Sequence, residues 1–396
     1  MLESNSTEPS KTDLEDLANQ YPAEEIDQHQ VLNYIQPDKD QSNDELSELD
    51  NLSLEAQLQN TNPGLSYKLT DEAQAQLSSH LESTGQEGKF RGYRFHGGKL
   101  KNINFDHADL SLCDLSCGQY TDMDFTAANL DQSSLANSVF KNCNFKNVNL
   151  SKTNICGAKF VECEFSNTLF ERNSAIRTKL ENCRFTNSRL VEIKYNDGKL
   201  VGCEFTDCEF YQTMFYDTKV TENTFNNCQH VETMFSNNAF EKNVFKEGIL
   251  NQVIFQNMGV KKNVFEQITL LSCGVYGNSA EIDRCQFINV NADTNEFPRL
   301  RFSNNKIIGG EWKKNNLSDN TFAKGEWQGV SFKGNDLVNA LLVKGQYTEV
   351  DFSGSNLMGT EFKGATFMGC NFHGCINVHQ KIDKDTQFLT KNTQKQ

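Results

Sequence analysis

The chain has 396 residues, 37% of them hydrophobic, and a formal net charge of −15. No apolar run approaches the ~18 residues of a membrane helix, and no charged-then-apolar opening marks a cleaved signal peptide. The acidic balance argues against a basic nucleic-acid binder, and the 29 Phe argue against a wholly disordered chain.

The charge is not evenly spread. Residues 1–89 hold 19 Asp/Glu against four Lys/Arg, whereas residues 90–396 hold 34 of each. Residues 1–87 therefore read as an acidic, mostly disordered N-terminal segment, poor in core-forming side chains. A short helix over 70–82 is expected within it. Thr70 caps it, Asp71 and Glu72 sit in its first turn, and Leu69, Ala73, Leu77 and Leu81 share one face.

From Phe90 onward a large apolar residue recurs every fifth position: Phe90, Phe95, Leu100, Phe105, Leu110, Leu115. The beat runs in one register to Ala280, gains two residues before Phe287, and resumes to Phe372. Only Ala175, His230, Ala280 and Ala292 lack a large apolar side chain at these centres, and Phe388 alone among the Phe lies off the grid. A step of five fits neither element. It drifts about 140° around a helix axis, and on a strand an odd step alternates faces. The chain must turn about once per five residues, which makes a solenoid.

A second period counts the sides. Phe105, Phe125, Phe145, Phe165, Phe185, Phe205, Phe225, Phe245 and Phe265 stand 20 residues apart, and Phe287 follows across the insertion. Twenty residues per coil means four sides. Two residues before these centres runs a column of small or amide side chains: Cys143, Cys163, Cys183, Cys203, Asn223, Asn243, Asn263 and Cys285. Like residues stack this way when neighbouring coils pair as parallel strands about 4.8 Å apart.

Segments such as Ala128-Asn129-Leu130-Asp131-Gln132, Cys163-Glu164-Phe165-Ser166-Asn167 and Ser355-Asn356-Leu357-Met358-Gly359 carry a small residue, a polar residue, Leu or Phe, and two polar residues. In this the chain resembles the pentapeptide repeat family over residues 88–377. The resemblance implies an all-β fold, a right-handed quadrilateral β-helix of about 14 coils. It departs from the family pattern in its many Phe centres, its Asn at the small position, the insertion near Glu281–Gln286 and the long acidic segment. Residues 378–396 read as a polar C-terminal tail.

Packing inside the grid is legible. Positions two before each centre share its inward face, and eleven of the 13 Cys lie there; Cys117 and Cys156 are the exceptions. Regular placement without CxxC knuckles reads as small buried hydrophobes, with no metal or other cofactor and with unbridged thiols. Bulky centres have Gly at the partner position, as in Gly118/Tyr120, Gly310/Trp312, Gly325/Trp327 and Gly345/Tyr347. Tyr195, preceded by Ile193, breaks that trend. The Asn at the small positions read as amide ladders. His230, at a centre, reads as a local defect or a turned-out side chain. Residues 281–296 read either as a bulge that resets register or as a protruding loop for contact.

These features support a non-enzymatic protein-interaction scaffold; no catalytic motif is present in the sequence. The polar, Ser/Asn/Thr-rich opening Met1–Ser10 resembles the composition of bacterial type III secretion signals. A bacterial cytoplasmic protein is expected, with secretion into a host cell as the alternative. The family resemblance offers a second class, DNA mimicry toward gyrase or topoisomerase IV, which a rod of zero net charge disfavours. An enzyme is the third class, with no segment large enough for a catalytic domain. The expected partner is a protein of unknown identity, and direct nucleic-acid binding is not expected. The C-terminal coil near Phe372 has only Ile382, Phe388 and Leu389 to cover it, which leaves a homodimer through that end open.

Overall fold

A computed structural model describes residues 90–277, 280–376 and 381–390. The acidic segment 1–87, its candidate helix at 70–82, and residues 378–380 and 391–396 of the tail lie outside the described residues. Among the described residues no helix is long and apolar enough to cross a membrane.

The chain winds into a four-sided parallel β-helix. Its sides contribute short strands to four sheets, of 15, 12, 8 and 6 strands, or pair through single bridges. We name the faces in chain order. The first face is centred on Leu100, Tyr120 and Phe140, and the second on Phe165 and Phe185. The third is centred on Phe170 and Leu190, and the fourth on Ala175 and Tyr195. Pairing is in register one coil apart, as in Lys99 with Gln119 and Phe205 with Phe225. Fifteen strands on the first face span roughly 65–70 Å at strand spacing.

Each five-residue side has the same anatomy. The centre and the residue two before it are buried, their neighbours face out, and the residue two after the centre makes the corner. Nearly every corner residue has a positive φ near 50–60°, whatever its side chain. That left-handed conformation turns the chain by one side.

The core is a stack of rings. Phe125, Phe145, Phe165, Phe185 and Phe205 stack successively at 4.6 to 4.9 Å, with planes within 17°. The column then runs through Phe225, Phe245, Phe265 and Phe287 at 4.6 to 5.2 Å. Bulky centres are accommodated locally. A Cβ on Gly118 would lie 2.5 Å from the Tyr120 ring. Gly310 has a different reason from its sequence pairing with Trp312: its φ is +82°, and a Cβ there would meet the Val290 carbonyl oxygen at 2.2 Å. Tyr195 fits without a glycine because its in-register neighbour is Ala175, which leaves the volume one coil away.

Three details differ from the sequence reading. The insertion falls between Tyr276 and Glu281, so Val260 pairs with Ile282 and Ala280 is not a centre. Residues 281–296 resume regular strands and form no protruding loop. An apolar void of about 30 Å³ is lined by residues including Val260, Val275, Ile282, Phe297 and Trp312, on either side of the register change. Finally, Phe388 returns to the second face's column after a step of 21 residues and stacks on Phe367 at 5.1 Å. Parallel pairing thus runs on to Leu389.

Candidate interaction surfaces

The inward columns are occupied by packing and hydrogen bonding. The Asn223 side chain donates to the Leu200 carbonyl at 2.8 Å and to Asn243 Oδ1 at 3.0 Å. Asn243 repeats this with the Val220 carbonyl at 2.9 Å and Asn263 Oδ1 at 3.1 Å. Each amide oxygen also accepts a main-chain N–H: Cys203 donates to Asn223 and Asn223 to Asn243, at 2.9 and 3.1 Å. The thiols of Cys143, Cys163 and Cys183 point at the carbonyls of Tyr120, Phe140 and Phe160 at 3.4 to 3.5 Å. Cys285, at the end of that column, reaches the Val260 carbonyl at 3.3 Å. All 13 Cys are free; nine are buried and Cys117 is exposed. Burial pushes Cys113 and Cys285 up to about 12 and Cys273 up to about 11, so these thiols stay protonated and unreactive.

His230 is not turned out; it is a local polar defect held inside the stack. It is 1% exposed, stacks on Phe210 at 4.3 Å and meets Phe225 edge-on at 5.3 Å. Neither ring nitrogen has a hydrogen-bond partner, and burial pushes its pKa down to about 3. Its planar ring substitutes for a Phe in the stack.

One outward cluster has the residue types of a hydrolase. His96 Nδ1 lies 2.8 Å from Ser116 Oγ, and Asp114 is 3.6 Å from the same imidazole nitrogen. Yet the Ser116 hydroxyl donates to Asp114 Oδ1, not to the imidazole. The same turn recurs at Ser111 with Asp109, Thr126 with Asp124 and Ser151 with Asn149. It is the local turn chemistry of the repeat.

Chemistry is instead sorted by outer face. Along the first face and its following corner, from Lys99 to Lys344, 14 charged residues are basic and seven acidic. Lys159, Lys179, Lys199 and Lys219 stand in register on four successive coils. Along the second face and its corner, from Asn104 to Glu349, four are basic and nine acidic. An apolar patch covers parts of the other two faces. Met214, Met234 and Ile254 are in register on the fourth, beside Tyr216 at 45% exposure. Val191, Tyr211 and Val231 align on the third. Tyr216 is exposed and the other six are half-buried; outward apolar patches of this kind mark contact surfaces. The sequence reading missed the sorting because it summed charge over the rod; summing by position within the 20-residue coil exposes it.

The model of the family described as pentapeptide repeats matches in eight copies, over residues 124–160, 150–187 and 336–374. These stretches are pentapeptide repeats. No curated protein matches the chain. Among solved structures, the pentapeptide rod is similar to HetL, a protein involved in heterocyst differentiation regulation in the cyanobacterium Nostoc sp. strain PCC 7120. The identity is 12%, covering 76% of this chain and 92% of HetL, with a TM-score of 0.24. It is also similar to full-length QnrB1, a plasmid-mediated fluoroquinolone resistance protein, at 15% identity, 56% and 94% coverage and a TM-score of 0.20. Rfr23 from the cyanobacterium Cyanothece 51142 matches at 15% identity, 38% and 99% coverage and a TM-score of 0.15.

Proposed function

We propose that this pentapeptide rod is a non-enzymatic scaffold that binds a protein partner through its outer faces. The observation that carries this reading is the sorting of outward chemistry by face, on a frame whose inward positions are consumed by packing and main-chain hydrogen bonds. A rod that only had to fold would gain nothing from collecting bases on one face and Met, Ile and Tyr on two others. In this reading the acidic segment 1–87 is an arm carried by the rod. A second copy docks on the last coil, where Ile376, Ile382 and Phe388 are all more than half exposed.

The same sorting counts against DNA mimicry. Duplex DNA presents about one negative charge per ~1.7 Å. The most acidic face of the rod exceeds its bases by five charges over more than ten coils, and the most biased face is basic. The protein acts in the bacterial cytoplasm or, if secreted, in a host cell.

Affinity capture with the full chain, from bacterial and host lysates, tests the scaffold reading. A stoichiometric protein partner that is lost on Met214→Glu with Met234→Glu supports it. Protection of gyrase from a quinolone in a supercoiling assay would replace it. A reporter fused to residues 1–89 and exported by a type III apparatus would place the protein in the host.

A further inference from the structure

We propose that the edge between the first and second faces, from Lys242 to Lys344, docks an extended acidic peptide segment of the partner, with one carboxylate seated between Arg284, Lys306 and Lys324. This rests on the scaffold reading and names the partner's chemistry.

The corner after the first face recurs once per coil. In six successive coils it is Lys242, Lys262, Arg284, Asn304, Lys324 and Lys344, all exposed. All six hold φ between 53 and 59°, so the repeat presents them in the same way from the same edge. Five coil steps separate the two ends, about 24 Å. Lys242 is paired with Glu222 at 2.7 Å, and Arg284 with Asp283 at 2.7 Å. Among the described residues, Lys262, Lys306, Lys324 and Lys344 have no carboxylate within ion-pair distance.

The row is interrupted once, by the short side chain of Asn304. There a polar groove of about 360 Å³ opens, walled by Arg284, Gln286, Asn304, Lys306, Lys324 and Glu326. Three cations thus face one acid across a gap that no side chain of the described residues fills. The nearby Asp283 carboxylate is already held by Arg284 Nε and by Asn304 Nδ2 at 2.8 Å.

The shape of the charge selects the ligand. The basic row is one residue wide except at Lys261, which is paired with Glu281 at 3.7 Å, and at Lys306. Glu241 and Asp283 flank it on the first face, and Glu326 flanks it on the second. A duplex or a bilayer is broad and would press phosphates onto those acids. An extended strand with alternate acidic residues places a carboxylate every ~6.6 Å in single file and stays over the corner. The first face carries no outward aromatic residue on which bases could stack.

The test is fluorescence anisotropy of a labelled alternating Glu–Thr peptide of about ten residues with the full-length protein, at ~50 and ~200 mM salt. Saturable binding that weakens at least about threefold at the higher salt is expected. Arg284→Glu with Lys324→Glu should weaken it about tenfold or more. Lys179→Glu with Lys199→Glu changes the net charge equally on the same face and should cost less than about twofold. Unchanged thermal melts of both variants exclude misfolding, and Arg284→Gln with Lys324→Gln should give an intermediate loss. No saturable binding, or equal losses from both charge reversals, overturns the site. Tighter binding of a DNA duplex or of anionic lipid vesicles than of the peptide overturns the ligand class. Capture of the same lysate partner by wild type and by the Arg284/Lys324 variant overturns this site and leaves the scaffold reading standing. Capture of no partner by wild type overturns the scaffold reading, while the peptide titration still decides whether the edge binds carboxylates.

Discussion

The coils over residues 90–158 and those over 159–277 share one repeat but close their corners differently. In the first region the centre's carbonyl accepts from the main-chain N–H three residues on: Phe105 from Ala108 at 3.0 Å and Phe125 from Ala128 at 2.9 Å. In the second region that turn bond is mostly absent and strands form on all four faces. There the carbonyl, without the turn bond, accepts from the inward side chain one coil later, a bond that Leu130 and Ile155 of the first region receive in addition, from Thr153 at 2.8 Å and Thr178 at 2.6 Å. Thr213 serves Leu190 at 2.9 Å, Asn238 serves Phe215 at 3.0 Å and Asn243 serves Val220 at 2.9 Å. A buried carbonyl needs some partner. Ala at the inward position offers only its own N–H, whereas Thr and Asn add a side-chain donor. Phe or Tyr fills most of the centres of the second region.

The sharpest way to break this comparison is to remove one donor from each region. Asn243→Ala orphans the Val220 carbonyl and the Asn223 N–H, and should cost about 3–5 kcal/mol by urea unfolding. Ser133→Ala should cost under about 1 kcal/mol, because the Leu130 carbonyl keeps the Ser133 N–H and the Thr153 hydroxyl. Equal costs would erase the distinction. Next in size, Gly118→Ala forces a methyl against Tyr120, whose hydroxyl reaches the Phe95 and Leu115 carbonyls, and should lower stability by about 1–3 kcal/mol.

His230→Phe, in the second region, should raise stability by about 1–2 kcal/mol by replacing two unpaired nitrogens with carbon. It should also change the acid response. The folded pKa of His230 is pushed down to about 3 by burial, below the ~6.5 of an unfolded histidine. Stability linked to this group is therefore complete above pH ~6.5 and falls as the pH drops toward 3. Unfolding midpoints measured across that window should slope less for His230→Phe than for wild type; parallel slopes would place the ring in water. The smallest gain is expected in the first region. Leu112 is 46% exposed at a corner with φ 58°, and Leu112→Asn should gain about 1 kcal/mol by thermal melt.

The frame was legible because period five and period twenty are both written in the same residues. Phe105 to Phe287 identify the ring column, and Cys143 to Cys285 identify its inward partner. What was not legible depends on partners a coil away. Ala280 occupies the fifth position by count, yet Ile282 fills the core, since strand pairing and not arithmetic decides where two extra residues go. Phe388 looked off the grid for the same reason. His230 looked foreign because its polarity is visible in sequence and its flat, neutral ring is not. The basic edge was hidden inside a rod charge that sums to zero.

A double-mutant cycle on Asn243 and Asn263 tests the account most directly, since these neighbours share two hydrogen bonds, at 2.8 and 3.1 Å. If side chains from adjacent coils hold the second region, the double Ala variant should lose about 1–3 kcal/mol less than the sum of the single variants. Losses that add to within about 0.5 kcal/mol would mean that each Asn acts alone and that the ladder holds nothing together.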